Sequence, residues 1–174
     1  RAGPLSTATK DHLFVINDFN VDEAPSSYTK LSMSDLADYS SFASASATKQ
    51  MNGFYVTLQD DGEKILSTTL TVNDVIYAPT FRPSDSTIEI GCEPDSGQAR
   101  LLQISPYDAP DTTERIVTQI DLNQGGIVPK PVLVFPPSDS STGQSSTPVV
   151  AIGTEVIPAG GNFTQFKRTY WRED

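Results

Sequence analysis

From Gly53 onward the chain alternates apolar and polar residues with a period of two, and turn-forming residues interrupt it at short intervals. This pattern constrains the fold more than any other feature. A helix scatters alternate residues around its 3.6-residue turn, whereas a strand sends them to opposite faces of a sheet. Phe54, Val56 and Leu58 share one face, with Tyr55, Thr57 and Gln59 on the other. Asp60-Asp61-Gly62-Glu63 reads as a turn in which Gly62 takes a positive φ. The return strand then places Leu66, Thr68, Leu70 and Val72 on one face, so the expectation is a hairpin between residues 54–58 and 66–72.

Residues 12–16 read as an earlier short strand, and residues 75–81, 87–92, 100–105, 115–122, 132–135, 149–157 and 163–171 as later ones. Between them lie turn signals such as Arg82-Pro83-Ser84-Asp85 and Asn123-Gln124-Gly125-Gly126. One helix is predicted, over residues 32–42: Ser32 caps it, Asp35 suits its first turn, and Met33, Leu36 and Ala37 face inward. The 19 Ser and 18 Thr residues fit the same picture, because Thr suits a pleated surface and Ser suits turns. The predicted class is all-β: an antiparallel sandwich or barrel, jelly-roll-like, with eight to ten strands and at most one short helix. The 174 residues suit one domain, spanning residues 1–174. Residues 136–148 are Ser- and Pro-rich without an apolar anchor, and read as a long exposed loop within it.

The net charge of −10 sets the domain against a phosphate backbone and against anionic membranes, so neither nucleic-acid binding nor membrane insertion is expected. No apolar run approaches the roughly 20 residues of a membrane-spanning helix. The single cysteine, Cys92, excludes an intrachain disulfide; Ile88 and Ile90 place it on an apolar strand face, as a buried structural thiol. The chain opens on Arg1 rather than Met, so it reads as a piece of a longer protein.

Catalytic motifs are sparse. His12 is the only histidine, so any triad or histidine zinc site would depend on it, and no nucleophile elbow accompanies it; it reads as structural or exposed. Asp95-Ser96-Gly97 matches the core of the aspartic-protease motif, but Glu93 and Pro94 precede it where apolar residues belong. Asp18, Asn20 and Asp22 alternate like the ligands of a calcium loop, while Glu23 and Thr29 occupy the positions where an EF-hand needs Gly and Glu. A looser calcium site at Asp18, Asn20 and Asp22 is the only metal alternative, and no cofactor is expected. The 22 acidic residues leave a two-carboxylate acid hydrolase as a third functional class. Asn162-Phe163-Thr164 is an N-glycosylation sequon.

Binding residues are sought instead among aromatics and arginines, which dominate interface hot spots. Tyr107, Arg168, Tyr170, Trp171 and Arg172 are the candidates, the last four within the one basic, aromatic stretch. The Ser/Thr/Pro-rich β pattern, the single Cys92, the single His12, the start at Arg1 and the Ser-rich loop together give a chain that resembles the protruding or spike domains of non-enveloped RNA-virus capsid proteins. That resemblance implies a non-catalytic projection on the virion surface, often dimeric, that attaches to a host receptor or glycan. The alternative is an extracellular adhesin or carbohydrate-binding module, with Tyr107 and Trp171 as its sugar platform.

Overall fold

The computed structural model describes residues 3–40, 52–84, 97–105, 117–136 and 147–160. Among these the fold is all-β, with ten strands: β1 (His12–Ile16), β2 (Ala37–Asp38), β3 (Gly53–Thr57), β4 (Leu70–Val72), β5 (Val75–Arg82), β6 (Gln98–Ile104), β7 (Val117–Asp121), β8 (Val132–Val134), β9 (Val149–Ile152) and β10 (Glu155–Pro158). They form three open sheets, ordered β1-β3-β2, β4-β5-β6-β7 and β10-β9-β8. All pairs are antiparallel except the short parallel pair β2–β3. The sandwich arrangement is therefore realised, and no sheet closes into a barrel among the described residues.

The four-stranded sheet is the middle layer. Successive residues of β5 and β6 alternate between two separate apolar clusters. Ile76, Ala78, Leu102 and Ile104 pack against Phe54, Val56, Ala37 and Tyr39 of the β1-β3-β2 side. Val75, Tyr77, Ala99 and Leu101 pack against Val150, Ile152, Leu122 and Val128 on the opposite side. An antiparallel sheet ordinarily keeps one face wet and its strands alternate accordingly; a sheet covered on both faces reads as a continuous apolar run. Val75-Ile76-Tyr77-Ala78-Pro79-Thr80-Phe81 is such a run but for Thr80, and it is buried at every position. Pro79 donates no ladder hydrogen bond, and the sheet accommodates it opposite Leu101.

Three sequence expectations are corrected here. The predicted helix over residues 32–42 is a 3-10 turn over Met33–Asp35 followed by β2. The capping signal was genuine, since Ser32 and Asp35 form a reciprocal capping box with the Ser32 N–H donating to Asp35 at 2.8 Å. A single capped turn does not propagate when the next residues are held extended: Ala37 and Asp38 pair with Phe54 and Tyr55 of β3. Met33 accordingly lies exposed rather than inward.

The expected hairpin between residues 54–58 and 66–72 does not form. The turn at Asp60–Glu63 exists, with Gly62 at φ 76°, and Phe54, Val56 and Leu58 are buried as the alternation requires. However, β3 pairs with β1, and β4 pairs with β5 across the two-residue turn Asn73-Asp74. Both turn residues have positive φ, 48° and 64°, the combination that matches the twist of a two-residue hairpin and that Asn and Asp tolerate best among non-glycine residues. Leu66 is left exposed. Finally, the single strand expected over residues 149–157 is a second hairpin, β9–β10, reversing at Gly153-Thr154. The strands expected at 87–92 and 163–171 and the loop over residues 137–146 lie outside the described residues, as does Cys92.

Candidate binding face

The β1-β3-β2 sheet turns one face to the core and the other to solvent. Its register places His12 opposite Thr57, Phe14 opposite Tyr55, and Asp38 beside Tyr55 from the other edge. These residues alternate with the buried set Phe54, Val56 and Ala37, so they all project outward. Phe14 is 46% exposed and Ile16 49% exposed. The rings of His12, Phe14 and Tyr55 form a triad with centroids 5.8 to 6.1 Å apart, the His12–Phe14 pair stacked and the His12–Tyr55 pair edge-on.

Polar groups frame this platform along β2. The Ser40 N–H donates to Asp38 Oδ1 at 2.9 Å and the Ser40 hydroxyl donates to the same oxygen at 2.5 Å. The Ser40 Oγ accepts the Thr57 N–H at 2.9 Å and lies 2.8 Å from the Thr57 hydroxyl, locking the edge to β3. The Ser40 hydroxyl and N–H hold the Asp38 carboxyl below the usual aspartate value of 3.8. Asp38 in turn accepts the Tyr55 hydroxyl and raises its pKa above 10.0, so Tyr55 stays a neutral donor. The face thus combines flat apolar rings, a fixed anion and several hydroxyls on a sheet whose geometry the core enforces.

Gly53 is what lets β1 reach this position. It sits at φ 120° opposite Ile16, and a Cβ there would lie 2.0 Å from the Val15 carbonyl oxygen. Beyond Ile16 the platform opens into a groove of about 490 Å³, lined in part by Phe19, Tyr28, Leu31 and Asn52. Phe19 and Tyr28 are largely exposed.

Two residues of the calcium alternative, Asp18 and Asn20, line this groove. Asp18 Oδ1 accepts the Asn20 N–H at 2.9 Å, an Asx turn that uses the carboxylate to brace its own loop. Asp18, Asn20 and Asp22 are all exposed, and the described residues contain no cluster of three or more His, Cys, Asp or Glu side chains suited to a metal. Tyr107, Arg168, Tyr170, Trp171, Arg172 and the sequon residue Asn162 lie outside the described residues, as does Asp95-Ser96.

Acidic residues meet elsewhere, around Arg100. Its guanidinium hydrogen-bonds Asp60, contacts Asp121 at 2.7 Å, and lies 3.7 Å from Glu63. Burial works against the Arg100 charge, but the hydrogen bond and charge of Asp60, with Glu63 and Asp121, raise its pKa above the ordinary arginine value. Glu63 is 1% exposed and accepts the Thr80 hydroxyl at 2.6 Å and the Asp60 N–H at 3.3 Å. Lys64, next to it, donates to the carbonyls of Ser6 and Gly62 at 2.5 and 2.6 Å. A two-carboxylate hydrolase needs its acids facing one another across an open cleft. Here three carboxylates converge on one arginine at the polar end of the middle sheet, an arrangement that ties the Asp60–Glu63 turn to β5, β6 and β7.

No protein-family model, curated protein or solved structure matches the chain.

Proposed function

We propose that this chain is a non-catalytic surface-presentation domain, the projecting part of a non-enveloped viral capsid protein, and that it attaches to a host cell through the outer face of β1-β3-β2. The observation that carries the reading is Phe14 and Ile16, each about half exposed, ranged with His12 and Tyr55 on one sheet face. Rigid aromatic positions on strands lose little entropy on contact and make efficient anchors. The doubly covered middle sheet beneath them supplies the stiffness that such anchors need. The acidic cluster, by contrast, is consumed in holding Arg100.

A second reading, an extracellular carbohydrate-binding or adhesin module, is favoured by one feature. The ring triad stands beside Asp38, Ser40 and Thr57, and an aromatic face with an adjacent carboxylate can seat the C–H surface of a sugar while accepting its hydroxyls.

Both readings place attachment on this face, and one experiment tests it. Fluorescently labelled protein is titrated onto cultured cells and compared with a variant carrying Phe14→Ser and Tyr55→Thr. Saturable binding that falls at least about tenfold in a variant of unchanged melting temperature is expected. Enzymatic removal of cell-surface glycans before titration then separates a sugar from a protein receptor. Equal binding by parent and variant would sink the assignment of the face.

A further inference from the structure

The outer face of β1-β3-β2 has a charge balance of its own. His12, Phe14, Ile16, Asp38, Tyr55 and Thr57 share it. At pH 7, with His12 neutral, Asp38 is the one formal charge among these strand residues. Lys10, just before β1, is already engaged by the Gln59 carbonyl and by Asp61 at 3.1 Å. Beyond Ile16 the groove repeats the pattern: Phe19 and Tyr28 stand with Asp18, the one charged side chain of its described lining. Residues 11–29 contain four acids, Asp11, Asp18, Asp22 and Glu23, and no lysine or arginine. An aromatic ring presents a negative π face, and a carboxylate beside it adds to the same field.

We propose that this face receives a basic segment of a receptor protein, seating a lysine or arginine side chain across the His12, Phe14 and Tyr55 rings with its cationic head at Asp38. The inference rests on the attachment reading and names the chemistry of the partner. The ring centroids lie 5.8 to 6.1 Å apart, so one long side chain can lay its aliphatic stem on one ring and its cation against the next. Asp38 is exposed, and the Ser40 N–H, the Ser40 hydroxyl and the Tyr55 hydroxyl fix its orientation. A carboxylate offers about four acceptor positions, so one remains for the arriving N–H. Charge selects this occupant over the others that an aromatic face can take. A sialylated or sulfated glycan brings an anion against Asp38 and against a net charge of −10. A choline headgroup carries the cation but has no N–H for Asp38, and it brings a phosphate with it. The groove of about 490 Å³ past Ile16 gives an extended basic peptide a second aromatic and acidic seat, at Phe19, Tyr28 and Asp18.

NMR titration of the full 174-residue chain with a capped tri-lysine peptide, and with tri-glutamine as the neutral control, tests the chemistry. Tri-lysine should shift the Phe14 and Tyr55 signals saturably, and tri-glutamine should leave them in place. Phe14→Leu keeps the apolar area but loses the ring, and Asp38→Asn loses the charge. Each should weaken tri-lysine binding about two- to fivefold, with folding checked by thermal melts. Asp74→Asn removes the same charge from the exposed β4–β5 turn and should change nothing. Equal shifts from tri-glutamine, full tri-lysine affinity in Phe14→Leu or Asp38→Asn, or a loss in Asp74→Asn as large as in Asp38→Asn would overturn the proposal. So would phosphatidylcholine vesicles or a sialylated trisaccharide that shifts the same signals at lower concentration than tri-lysine does. Cell titration keeps this failure apart from that of the attachment reading. Binding lost on Phe14→Ser with Tyr55→Thr, but kept by Asp38→Asn and not inhibited by tri-lysine, would remove the cationic partner and leave the face. Binding equal in the parent and in every variant would overturn both.

Discussion

Leu101 and Leu102 are adjacent in β6, and replacing each with alanine tests the layering of the fold. In a strand with one wet face, one of two neighbouring side chains is exposed and its truncation is close to neutral. Here Leu101 is 0% exposed in the cluster shared with Val150 and Ile152, and Leu102 is 2% exposed in the cluster shared with Phe54 and Val56. Full burial of a leucine contributes about 1.5–3 kcal/mol by transfer alone. The cavity left by truncation brings the loss to roughly 3–5 kcal/mol at each site. Against a total stability of about 5–15 kcal/mol, either variant forfeits a large share. With a urea m-value near 2 kcal/mol/M, each denaturation midpoint should fall by about 1.5–2.5 M. Equilibrium urea unfolding of Leu101→Ala, Leu102→Ala and the exposed control Thr71→Ala measures this directly. If either leucine variant unfolds within about 0.5 kcal/mol of the parent, one face of the middle sheet is wet and the three-layer reasoning fails.

Glu63→Ala removes the buried acceptor of the Thr80 hydroxyl and should cost about 3–5 kcal/mol in urea unfolding, with Glu63→Gln markedly milder because an acceptor remains. Gly53→Ala should detach β1 from β3, because the new Cβ collides with the Val15 carbonyl; amide hydrogen exchange should show lost protection across both strands. Asp35 and Asp38 are both held below 3.8 by hydrogen bonds from Ser32 and Ser40. Their folded pKa values lie under the unfolded ones, so their contribution is complete above about pH 4 and disappears as pH falls through the folded values. Melting temperature followed downward from about pH 6 should drop below pH 4, and Asp38→Asn should reduce the drop.

The fold class was legible because alternation reports which face a residue occupies, and Phe54, Val56 and Leu58 are buried as read. Alternation does not report which strand lies alongside. Residues 54–58 and 66–72 carry compatible patterns and an intervening turn, yet the tighter Asn73-Asp74 reversal captures β4 for β5, and β3 pairs with a strand some forty residues earlier. The 3-10 turn at Met33–Asp35 shows the same limit: a cap signals where a helix can start, while pairing with β3 decides whether it continues. The doubly covered middle sheet leaves its mark as the nearly continuous apolar run of β5, interrupted only by Thr80 between Val75 and Phe81. The binding face was harder. Phe14 lies in the apolar strand His12–Ile16, and only the register with β3 sets it beside Tyr55 in solvent. The aromatic and arginine candidates chosen from composition fall outside the described residues.

Hydroxyl-radical footprinting of the chain, free and bound to cells, tests the central functional claim most directly. It reads solvent exposure side chain by side chain, so it locates the covered face without any substitution. The account predicts protection of Phe14, Ile16 and Tyr55 on cell binding. It predicts no protection of Val132, Val134 and Val156, which lie on the β10-β9-β8 sheet. Protection confined to the valine face, with Phe14 and Tyr55 as reactive as in the free chain, would contradict it.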